Sequence, residues 1–378
     1  MKPLNRRDFL SALAGGAALA SALAWPARAA ASGTGRLRLA ATWRGPAAGS
    51  TNEVGMIEID LEEQRARVLW SAPLPGRAHG LADAQDGSLL VVAVRPGGWM
   101  LRFNRAGQLI AQLDMQAEQG RHLSGHVAPG ADGDWLYTTE TDPRTDEGWV
   151  SVRRGDTLAK VAEWRSAGIE PHQLLRDATG QLLVANGGIL RAPGDRKRDL
   201  YRMSSSLVRL DPLRGELLGQ WRVEDPRLSL RHLAWSTDDN GVVRLGVAMQ
   251  AEHDDPLRQR EGPVLAVWEG AGLTVPTRAA DAEGYGGDIA AAPGGGFVVS
   301  SNRSNKALLW HPARPDQLQI VASLTEAYAL GSWHRQDADA GVAIAAARGI
   351  GLWNPRRPAV MIAWPGPMVL DNHWIVVG

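Results

Sequence analysis

Residues 79–95 read HGLADAQDGSLLVVAVR: a polar residue opens a short strand, an Asp-Gly turn follows, and a second apolar strand ends in another polar residue. Five further segments repeat this layout, each with a Gly in its turn. The residues that open the first strands are His79, His126, His172, His232, Asp288 and, less clearly, Ser332. Because they recur every 44 to 60 residues, the spacing predicts the blades of a β-propeller.

The two ends of the chain supply the strands of one more blade. Residues 36–72 contain three apolar strands, and residues 368–378 contain one. A sheet built from both ends closes the ring and removes an open edge that would otherwise template aggregation. The sequence therefore predicts an all-β fold, a seven-bladed β-propeller over residues 30–378 that is closed by N- and C-terminal strands in one blade.

Two insertions interrupt the repeating layout, Asn186 to Ser205 in the third blade and Gln250 to Gly262 in the fourth. Both fall between the second and third strands, so we expect them on the face where the first strands begin. Long polar loops on a compact scaffold often carry function. A protein-interaction scaffold that uses these two loops is one alternative for the function.

Residues 1–29 have the features of an export signal rather than of a fold. Residues 5–10 read NRRDFL, a twin-arginine pattern, and the apolar run 10–25 is followed by Ala27-Arg28-Ala29, a small-x-small cleavage site. The apolar run is too short for a stable membrane span. We therefore predict a twin-arginine (Tat) signal peptide over residues 1–29, export to the periplasm in the folded state, and no membrane attachment after cleavage.

Composition excludes several kinds of chemistry. The chain of 378 residues has no cysteine, which excludes disulfides, c-type haem attachment, cysteine-ligated Fe–S clusters and a thiolate nucleophile. Its 41 basic and 41 acidic residues balance without a Lys/Arg block, so nucleic acid is not an expected partner. The sequence has no Gly-x-Ser-x-Gly elbow to support acyl transfer and no phosphate-binding Gly loop.

The innermost strands of a propeller line its central channel, so a residue at the start of each strand lies at the channel mouth. Histidine is predicted at this position in blades one to four and in blade seven, and Asp288 in blade five. Imidazole and carboxylate are usual protein ligands of Fe, Cu and Zn. The candidate ligands of such a transition metal are His79, His126, His172, His232, Asp288 and His373. His122 and Glu170 are candidates for orienting them.

Two other interpretations of these histidines stay open. A Gly-His pair before the first strand of a propeller blade is often a structural element that bonds neighbouring loops, and Gly125-His126 fits that pattern. The same residues can also line a channel for an organic or anionic ligand. No spacing in the chain matches a local metal motif such as His-Glu-x-x-His, so the metal hypothesis depends on position in the repeat.

The residues that end the second strands lie on the same face and form a second candidate set for binding a ligand. They are Arg95, Glu140, Asn186, Gln250, Asn302 and Arg348. The two arginines are suited to a carboxylate or a phosphate. Glu140, Asn186 and Asn302, together with Asp288, offer the oxygen atoms that Ca²⁺ or Mg²⁺ prefers, in a mixture similar to that of propeller lactonases. A divalent-cation-dependent, lactonase-like hydrolase is therefore the enzymatic alternative.

Several short segments carry a resemblance to a known family. They are GHV at 125–127, LYTTE at 136–140, GIEPH at 168–172, LVANGGI at 183–189 and LSLRHLA at 228–234. With the twin-arginine start, they resemble a bacterial family of Tat-exported proteins of unknown function. The resemblance covers the whole mature chain, is most specific over residues 168–189, and implies a seven-bladed propeller of the YVTN or quinoprotein-dehydrogenase-like type.

The resemblance also implies partners. Genes of that family often neighbour genes for imelysin-like periplasmic proteins and a di-haem oxidoreductase-like protein, in what look like iron-uptake clusters. Proteins of these two kinds are therefore possible partners in the periplasm. The function expected from the sequence is binding of a metal ion or metal complex in the central funnel, in the service of iron or copper handling.

Overall fold

The computed structural model describes residues 35–118, 120–276, 280–334 and 339–377. The predicted Tat signal of residues 1–29 lies outside them. Within these four ranges, no helix has the length and apolar character needed to cross a membrane. The strands are grouped into successive four-stranded antiparallel sheets, which we call blades, with one additional two-stranded hairpin.

The first three strands belong to the blade that closes the ring. They are β1 (Arg36–Arg44), β2 (Asn52–Asp60) and β3 (Arg65–Pro73). Blade one consists of β4 (Ala78–Asp83), β5 (Leu89–Ala93), β6 (Trp99–Phe103) and β7 (Leu109–Asp114). Blade two consists of β8 (His122–Pro129), β9 (Trp135–Thr141), β10 (Glu147–Arg154) and β11 (Lys160–Ile169).

Blades three and four carry the two insertions. Blade three begins with β12 (Pro171–Arg176) and β13 (Leu182–Asn186), continues through the hairpin β14 (Leu190–Ala192) and β15 (Arg196–Arg198), and ends with β16 (Ser206–Leu210) and β17 (Leu217–Trp221). Blade four consists of β18 (Leu228–Thr237), β19 (Val243–Ala251), the inserted helix α1 (Pro256–Arg260), β20 (Leu265–Trp268) and β21 (Leu273–Thr274).

The remaining strands complete the ring. Blade five consists of β22 (Ile289–Ala291), β23 (Phe297–Ser301), β24 (Lys306–His311) and β25 (Arg314–Ser323). Blade six consists of β26 (Leu330–His334), β27 (Ala340–Ala346), β28 (Gly349–Asn354) and β29 (Arg357–Ala363). The last strand is β30 (Val369–Val377). Short 3₁₀ helices in the described ranges are Met115–Glu118, Leu200–Arg202 and Ala280–Ala282.

Blade seven joins the two ends of the described chain. Its strand order is β3-β2-β1-β30, so the last strand pairs antiparallel with the first. Arg77 of the loop before β4 clasps Asp371 of β30, with Nη2 and Nε at 2.8 and 3.0 Å from Oδ1. The predicted seven-bladed propeller, closed in one blade by strands from both ends, is confirmed.

Apolar side chains fill the space between neighbouring blades. Leu37 and Leu39 of blade seven are fully buried against Trp333 and Ile350 of blade six. Trp221 of blade three packs at 5.0 Å, centroid to centroid, against Trp268 of blade four. Burying each such side chain contributes about 1.5–3 kcal/mol. This packing between sheets holds the innermost strands in place around the channel.

The innermost strands that bring His79, His126, His172, His232 and His373 to the channel end are all interrupted by a β-bulge, a shift in the register of pairing. In blades one to four the shifts lie between Ala78 and Leu81, Leu123 and Val127, Pro171 and Leu174, and Leu230 and Leu233. In blade seven the shift lies between Leu370 and Trp374 of β30. By contrast, β22 and β26 of blades five and six pair with their neighbours without a shift. Because a bulge re-aims side chains, it turns each histidine toward the axis.

Blade six has Ala329, not Ser332, at the position equivalent to Asp288. The Ser300 amide donates to the Asp288 carbonyl in blade five, and the Ala345 amide donates to the Ala329 carbonyl at the same place in blade six. Ser332 lies three residues further along, where its hydroxyl donates to a blade-five carbonyl at 2.7 Å. The choice of Ser332 as the opening residue is therefore wrong. Gly331-Ser332 is similar in sequence to the Gly-His pairs of other blades, but it lies three residues beyond the equivalent position.

Candidate metal centre

Four histidines from four consecutive blades converge at one end of the central channel. His79, His126, His172 and His232 each offer one ring nitrogen, and these four atoms lie within 4.8 Å of one another. The four residues, which we call the histidine cluster, are only 2–7% exposed. In the part of the chain that the structure describes, they are the only group of three or more His, Cys, Asp or Glu side chains spaced to hold a metal ion.

Two glycines make room for this convergence. A Cβ on Gly125 would lie 2.6 Å from Cδ2 of His79, and the φ of Gly125 is +106°, in the region that favours glycine. A Cβ on Gly80 would collide with the carbonyl oxygen of Gly125. The glycines beside His79 and His126 therefore allow neighbouring blades to approach closely enough for the rings to meet.

Arg95 orders the protons of two of the histidines. Its Nη1 lies 3.2 Å from Nδ1 of His172, and a guanidinium only donates. Nδ1 of His172 therefore accepts, which leaves the proton of the neutral ring on Nε2. That nitrogen lies 2.8 Å from Nε2 of His232, so His172 donates and His232 accepts. The result is a directed chain of hydrogen bonds from Arg95 through His172 to His232.

Other ring nitrogens at this site have no hydrogen-bond partner among the described residues. These include both nitrogens of His79, Nε2 of His126 and Nε2 of His373. The ring of His373 lies beside the histidine cluster, with its centroid 4.6 Å from that of His79 and 4.3 Å from that of His232. Leaving a buried polar group unsatisfied costs about 1–3 kcal/mol. Such groups in a native fold indicate a functional role or a bound ion.

Asp288 contacts His373 rather than the histidine cluster. Its Oδ2 lies 3.2 Å from Nδ1 of His373 and accepts from the Leu330 amide at 2.9 Å, while Oδ1 accepts from the Ile289 amide at 2.9 Å. A carboxylate at Nδ1 fixes the tautomer in which Nε2 carries a free lone pair. The structure thus places the predicted ligand Asp288 as the outer partner of a fifth imidazole.

Burial keeps the histidine cluster neutral. It lowers the pKa of all four rings well below the ordinary value of 6.5, and charge on neighbouring imidazoles and on the guanidiniums of Arg95 and Arg231 lowers it further. A neutral imidazole keeps one lone pair, which is the form that binds a metal. The four rings are therefore neutral at neutral pH, and His172 and His232 become free to ligate when the hydrogen bond between them is displaced.

The histidine cluster lies at the end of a cavity. The central channel encloses about 460 Å³ and is lined by residues of all seven innermost strands. His126, Asp288 and His373 form the part of its wall next to the cluster, and apolar residues such as Leu175 and Ile375 line other parts. A cavity of this size is large enough for a small molecule.

The residues that end the second strands do not form one site. Arg95 reaches the histidine cluster through His172. Glu140 is fully buried and accepts from Nη2 of Arg153 at 2.7 Å. The amide of Asn186 bonds to Ser166, its carbonyl oxygen lying 2.8 Å from the Ser166 hydroxyl. These contacts leave Glu140, Asn186 and Asp288 with separate partners.

The other three residues of that set lie elsewhere. The Gln250 side chain donates to the Gly286 carbonyl at 3.3 Å. Asn302 lines a separate cavity of about 210 Å³, and Arg348 is exposed at the surface. Of the six residues, the hydrogen bonds of the described chain bring Arg95 alone to the histidine cluster, and the two arginines of the set do not act together.

A buried arginine–glutamate cluster beside Arg95 was missed by the sequence analysis. Glu170 accepts from Nε of Arg191 at 2.8 Å and lies 3.0 Å from Nη1 of Arg231 and 3.6 Å from Nε of Arg95. Burial alone would raise the pKa of Glu170, but Arg231, Arg95 and Arg191 outweigh it and lower the pKa to about 2. Burial, followed by the charge of Arg231, lowers the pKa of Arg95 to about 10.

A signal for this cluster was present in the sequence. Arg231 directly precedes His232, and Glu170 lies two residues before His172, so both flank predicted ligands. Glu170 was expected to orient a ligand and instead contacts guanidiniums. His122, expected to do the same, is exposed.

The histidine cluster can hold a metal ion after one proton is displaced. With Zn–N bonds of about 2.0–2.1 Å, tetrahedral ligand nitrogens lie about 3.3 Å apart. The Nε2 atoms of His172 and His232 are closer, at 2.8 Å, because a proton joins them. The ligand atoms of the cluster lie up to 4.8 Å apart, so the rings would have to rotate to bring all four nitrogens within bonding distance of one ion. Metal binding would therefore replace the hydrogen bond between His172 and His232.

Fold and site together define a class of protein, a seven-bladed β-propeller with a buried cluster of histidines at the end of its channel. A sequence profile of the family described as "Protein of unknown function (DUF1513)" matches residues 72–377. The chain belongs to this family, which confirms the resemblance to a propeller family of unknown function. No curated protein matches the chain.

Solved propellers share the fold at low sequence identity. A streptogramin B lyase has 11% identity and a TM-score of 0.54, over 86% of this chain and 99% of that one. Hydrazine synthase of Kuenenia stuttgartiensis has 15% identity and a TM-score of 0.54, over 84% of this chain and 93% of that one. A catalytically inactive virginiamycin B lyase from Staphylococcus aureus, solved with quinupristin, has 10% identity and a TM-score of 0.51, over 81% of this chain and 92% of that one. At such identities the similarity shows the fold alone.

Proposed function

We propose that this protein binds a transition-metal ion through the histidine cluster and serves iron or copper handling in the periplasm. The observation that carries the proposal is the convergence of four buried imidazoles from four blades, with their ligand atoms within 4.8 Å of one another. Neutral imidazoles suit Fe, Cu and Zn. A ligand set drawn from separate blades is positioned by the whole ring rather than by one loop.

The unpartnered nitrogens argue against a purely structural role. A structural histidine at the mouth of a propeller is satisfied by neighbouring backbone groups, yet neither nitrogen of His79 has a partner within the described ranges. A metal ion compensates such lone pairs and repays their desolvation. Asp288, through His373, would act as an outer group that orients this ring.

The location and partners belong to the proposal as well. The twin-arginine pattern at residues 5–10 supports export of the folded protein to the periplasm. The gene neighbourhood implied by the family resemblance supports imelysin-like and di-haem oxidoreductase-like proteins as partners in iron uptake. An Arg6→Lys/Arg7→Lys variant tests the export route: we expect it in the cytoplasmic fraction, and unchanged recovery from the periplasm would exclude Tat export.

Metal analysis tests the central claim. The wild type and a His126→Ala/His172→Ala/His232→Ala variant are purified aerobically and anaerobically, and bound Fe, Cu and Zn are measured. We expect close to one metal ion per wild-type chain and a loss of most of it in the variant. The matched control is His122→Ala, which removes an exposed histidine of blade two and should keep the metal.

Equal metal content in the wild type and the triple variant would refute the proposal. A stability titration provides a second readout that does not depend on purification history. Metal added at 100 times its Kd should raise the free energy of unfolding by about 2.7 kcal/mol, and the triple variant should show no rise.

A further inference from the structure

We propose a second binding site, for a small organic monocarboxylate, in the cavity beneath the β14–β15 hairpin. The cavity encloses about 350 Å³ between this hairpin and loops of blades one and two. It is separate from the central channel, and its lining includes Arg95, Ser124 and Arg191. The inference goes beyond the proposed metal binding and does not require a metal.

The charge beside the cavity favours one anion. Three guanidiniums, those of Arg95, Arg191 and Arg231, surround the carboxylate of Glu170, and Asp195 at the hairpin tip is the second acidic partner. Three positive charges therefore face two negative ones. A third carboxylate in the cavity wall, Asp146, is paired with the guanidinium of Arg198 and accepts only from the backbone amide of Arg191, at 3.1 Å, in this group. A ligand with a single negative charge would complete the balance.

Two of these arginines have N–H groups without a hydrogen-bond acceptor. Nε of Arg95 is buried and has no hydrogen-bond partner among the described residues, and the nearest carboxylate oxygens, of Asp195 and Glu170, are 3.5 and 3.6 Å away. Nε of Arg231 is likewise unpartnered within the same residues. Burial of a guanidinium N–H without an acceptor is costly. Because Arg95 lines the cavity, its guanidinium edge is suited to a carboxylate.

Much of the remaining cavity wall is apolar, although His122, Ser124 and Thr141 also line it, and this apolar part selects an organic acid over a bare inorganic anion. Its walls include Pro96, Leu123, Pro143 and Ile189. Small-molecule sites combine such apolar walls with a few polar groups that fix orientation. Asp195, whose side chain is 31% exposed, lies where the ligand carboxylate would approach Arg95. The incoming carboxylate would displace Asp195 from this weak contact.

Calorimetric titration of the metal-free protein with phenylacetate tests the site. We expect saturable binding of phenylacetate and at least tenfold weaker binding of phenylacetamide, which has the same shape without the charge. This comparison uses the wild type alone, so it holds even if a variant fails to fold. Equal affinity for the acid and the amide, no binding of either, or tighter binding of inorganic phosphate than of phenylacetate would overturn the proposal.

Matched variants locate the site. Arg95→Gln should weaken phenylacetate binding at least tenfold, whereas Arg348→Gln, which changes the exposed arginine that ends the equivalent strand of blade six, should leave it unchanged. His126→Ala should also leave it unchanged, because His126 lines the channel and not this cavity. Unaltered affinity in Arg95→Gln would refute the site. If His126→Ala loses metal binding but retains phenylacetate binding, the two sites bind their ligands independently.

Discussion

The blades of this ring differ in the backbone of their innermost strands. In blades one to four and blade seven, a β-bulge breaks the register, and each bulge carries a histidine. In blades five and six the strands pair regularly, and the equivalent positions hold Asp288 and Ala329. The channel end is therefore asymmetric, with imidazoles from five blades and two regular blades beside them.

This difference shows where the fold departs from its most stable form. A bulge leaves residues unpaired in the ladder, and it brings the rings together with unpartnered nitrogens. Blades five and six avoid both costs, and Asp288 uses its carboxylate to accept from the backbone of blade six. Local departures from regular structure concentrate at functional sites, so the bulged region is the candidate site and the regular blades are its frame.

The effect of pH on stability is the largest difference that we expect between the two regions. The rings of the histidine cluster have lowered pKa values in the folded state and titrate near 6.5 when unfolded. Their contribution is fully present above that pH and is lost as the pH falls through and below about 6.5. The slope is up to about 1.4 kcal/mol per pH unit for each histidine. Urea unfolding of the metal-free protein between about pH 7.5 and 5.5 measures this loss of stability. A urea midpoint that does not change with pH would contradict a neutral histidine cluster.

Gly125→Ala should be the next largest effect. The new Cβ would meet the His79 ring at 2.6 Å, and φ of +106° disfavours alanine. Strain and overpacking together should cost about 2–5 kcal/mol, measured by chemical unfolding. Gly241→Ala is the control for strain alone, since its φ is +79° and nothing lies within 4 Å of the added carbon. A loss no greater than that of the control would mean that the bulges do not pack the rings tightly.

His79→Leu should stabilise the metal-free protein. Removing two unpartnered buried nitrogens should raise the free energy of unfolding by about 1–3 kcal/mol, while metal affinity falls. The control is His311→Leu in blade five, where Nδ1 accepts from the Ala313 amide at 3.1 Å, so no gain is expected. Calorimetric melting of both variants decides the matter: a loss of stability in His79→Leu would show that His79 is satisfied as a structural residue.

Asp288→Asn should give the smallest effect, a decrease in metal affinity. It tests the contact between Asp288 of the regular blade five and His373 of the bulged blade seven. The amide oxygen can still accept from a backbone amide, but the tautomer of His373 is no longer fixed by a carboxylate. Loss of such an outer partner lowers metal affinity about 10- to 100-fold, which competition with a chelator measures. An unchanged affinity would mean that His373 takes no part in the metal site.

The repeating layout was enough to predict the blades, their turns, the two insertions and the closing strand. It was not enough to predict the bulges, because register depends on how neighbouring blades pack and not on the spacing of apolar residues. For the same reason Ser332 was taken for the opening residue of blade six in place of Ala329. Arg95 and Arg348 end equivalent strands, yet only Arg95 contacts the histidine cluster, because Glu170 and His172 of another blade hold it there.

The clasp between Arg77 and Asp371 has a kinetic consequence. These residues are 294 positions apart in the chain, and such non-local contacts form slowly because a long loop must close first. His373 lies two residues beyond Asp371, so the fifth imidazole reaches its position only when β30 pairs with β1 and closes the propeller. Because the His373 ring packs beside those of His79 and His232, we expect the full affinity for metal only in the finished protein. In stopped-flow refolding, the signal of metal capture should lag behind the burial of tryptophan, and simultaneous traces would disprove this order.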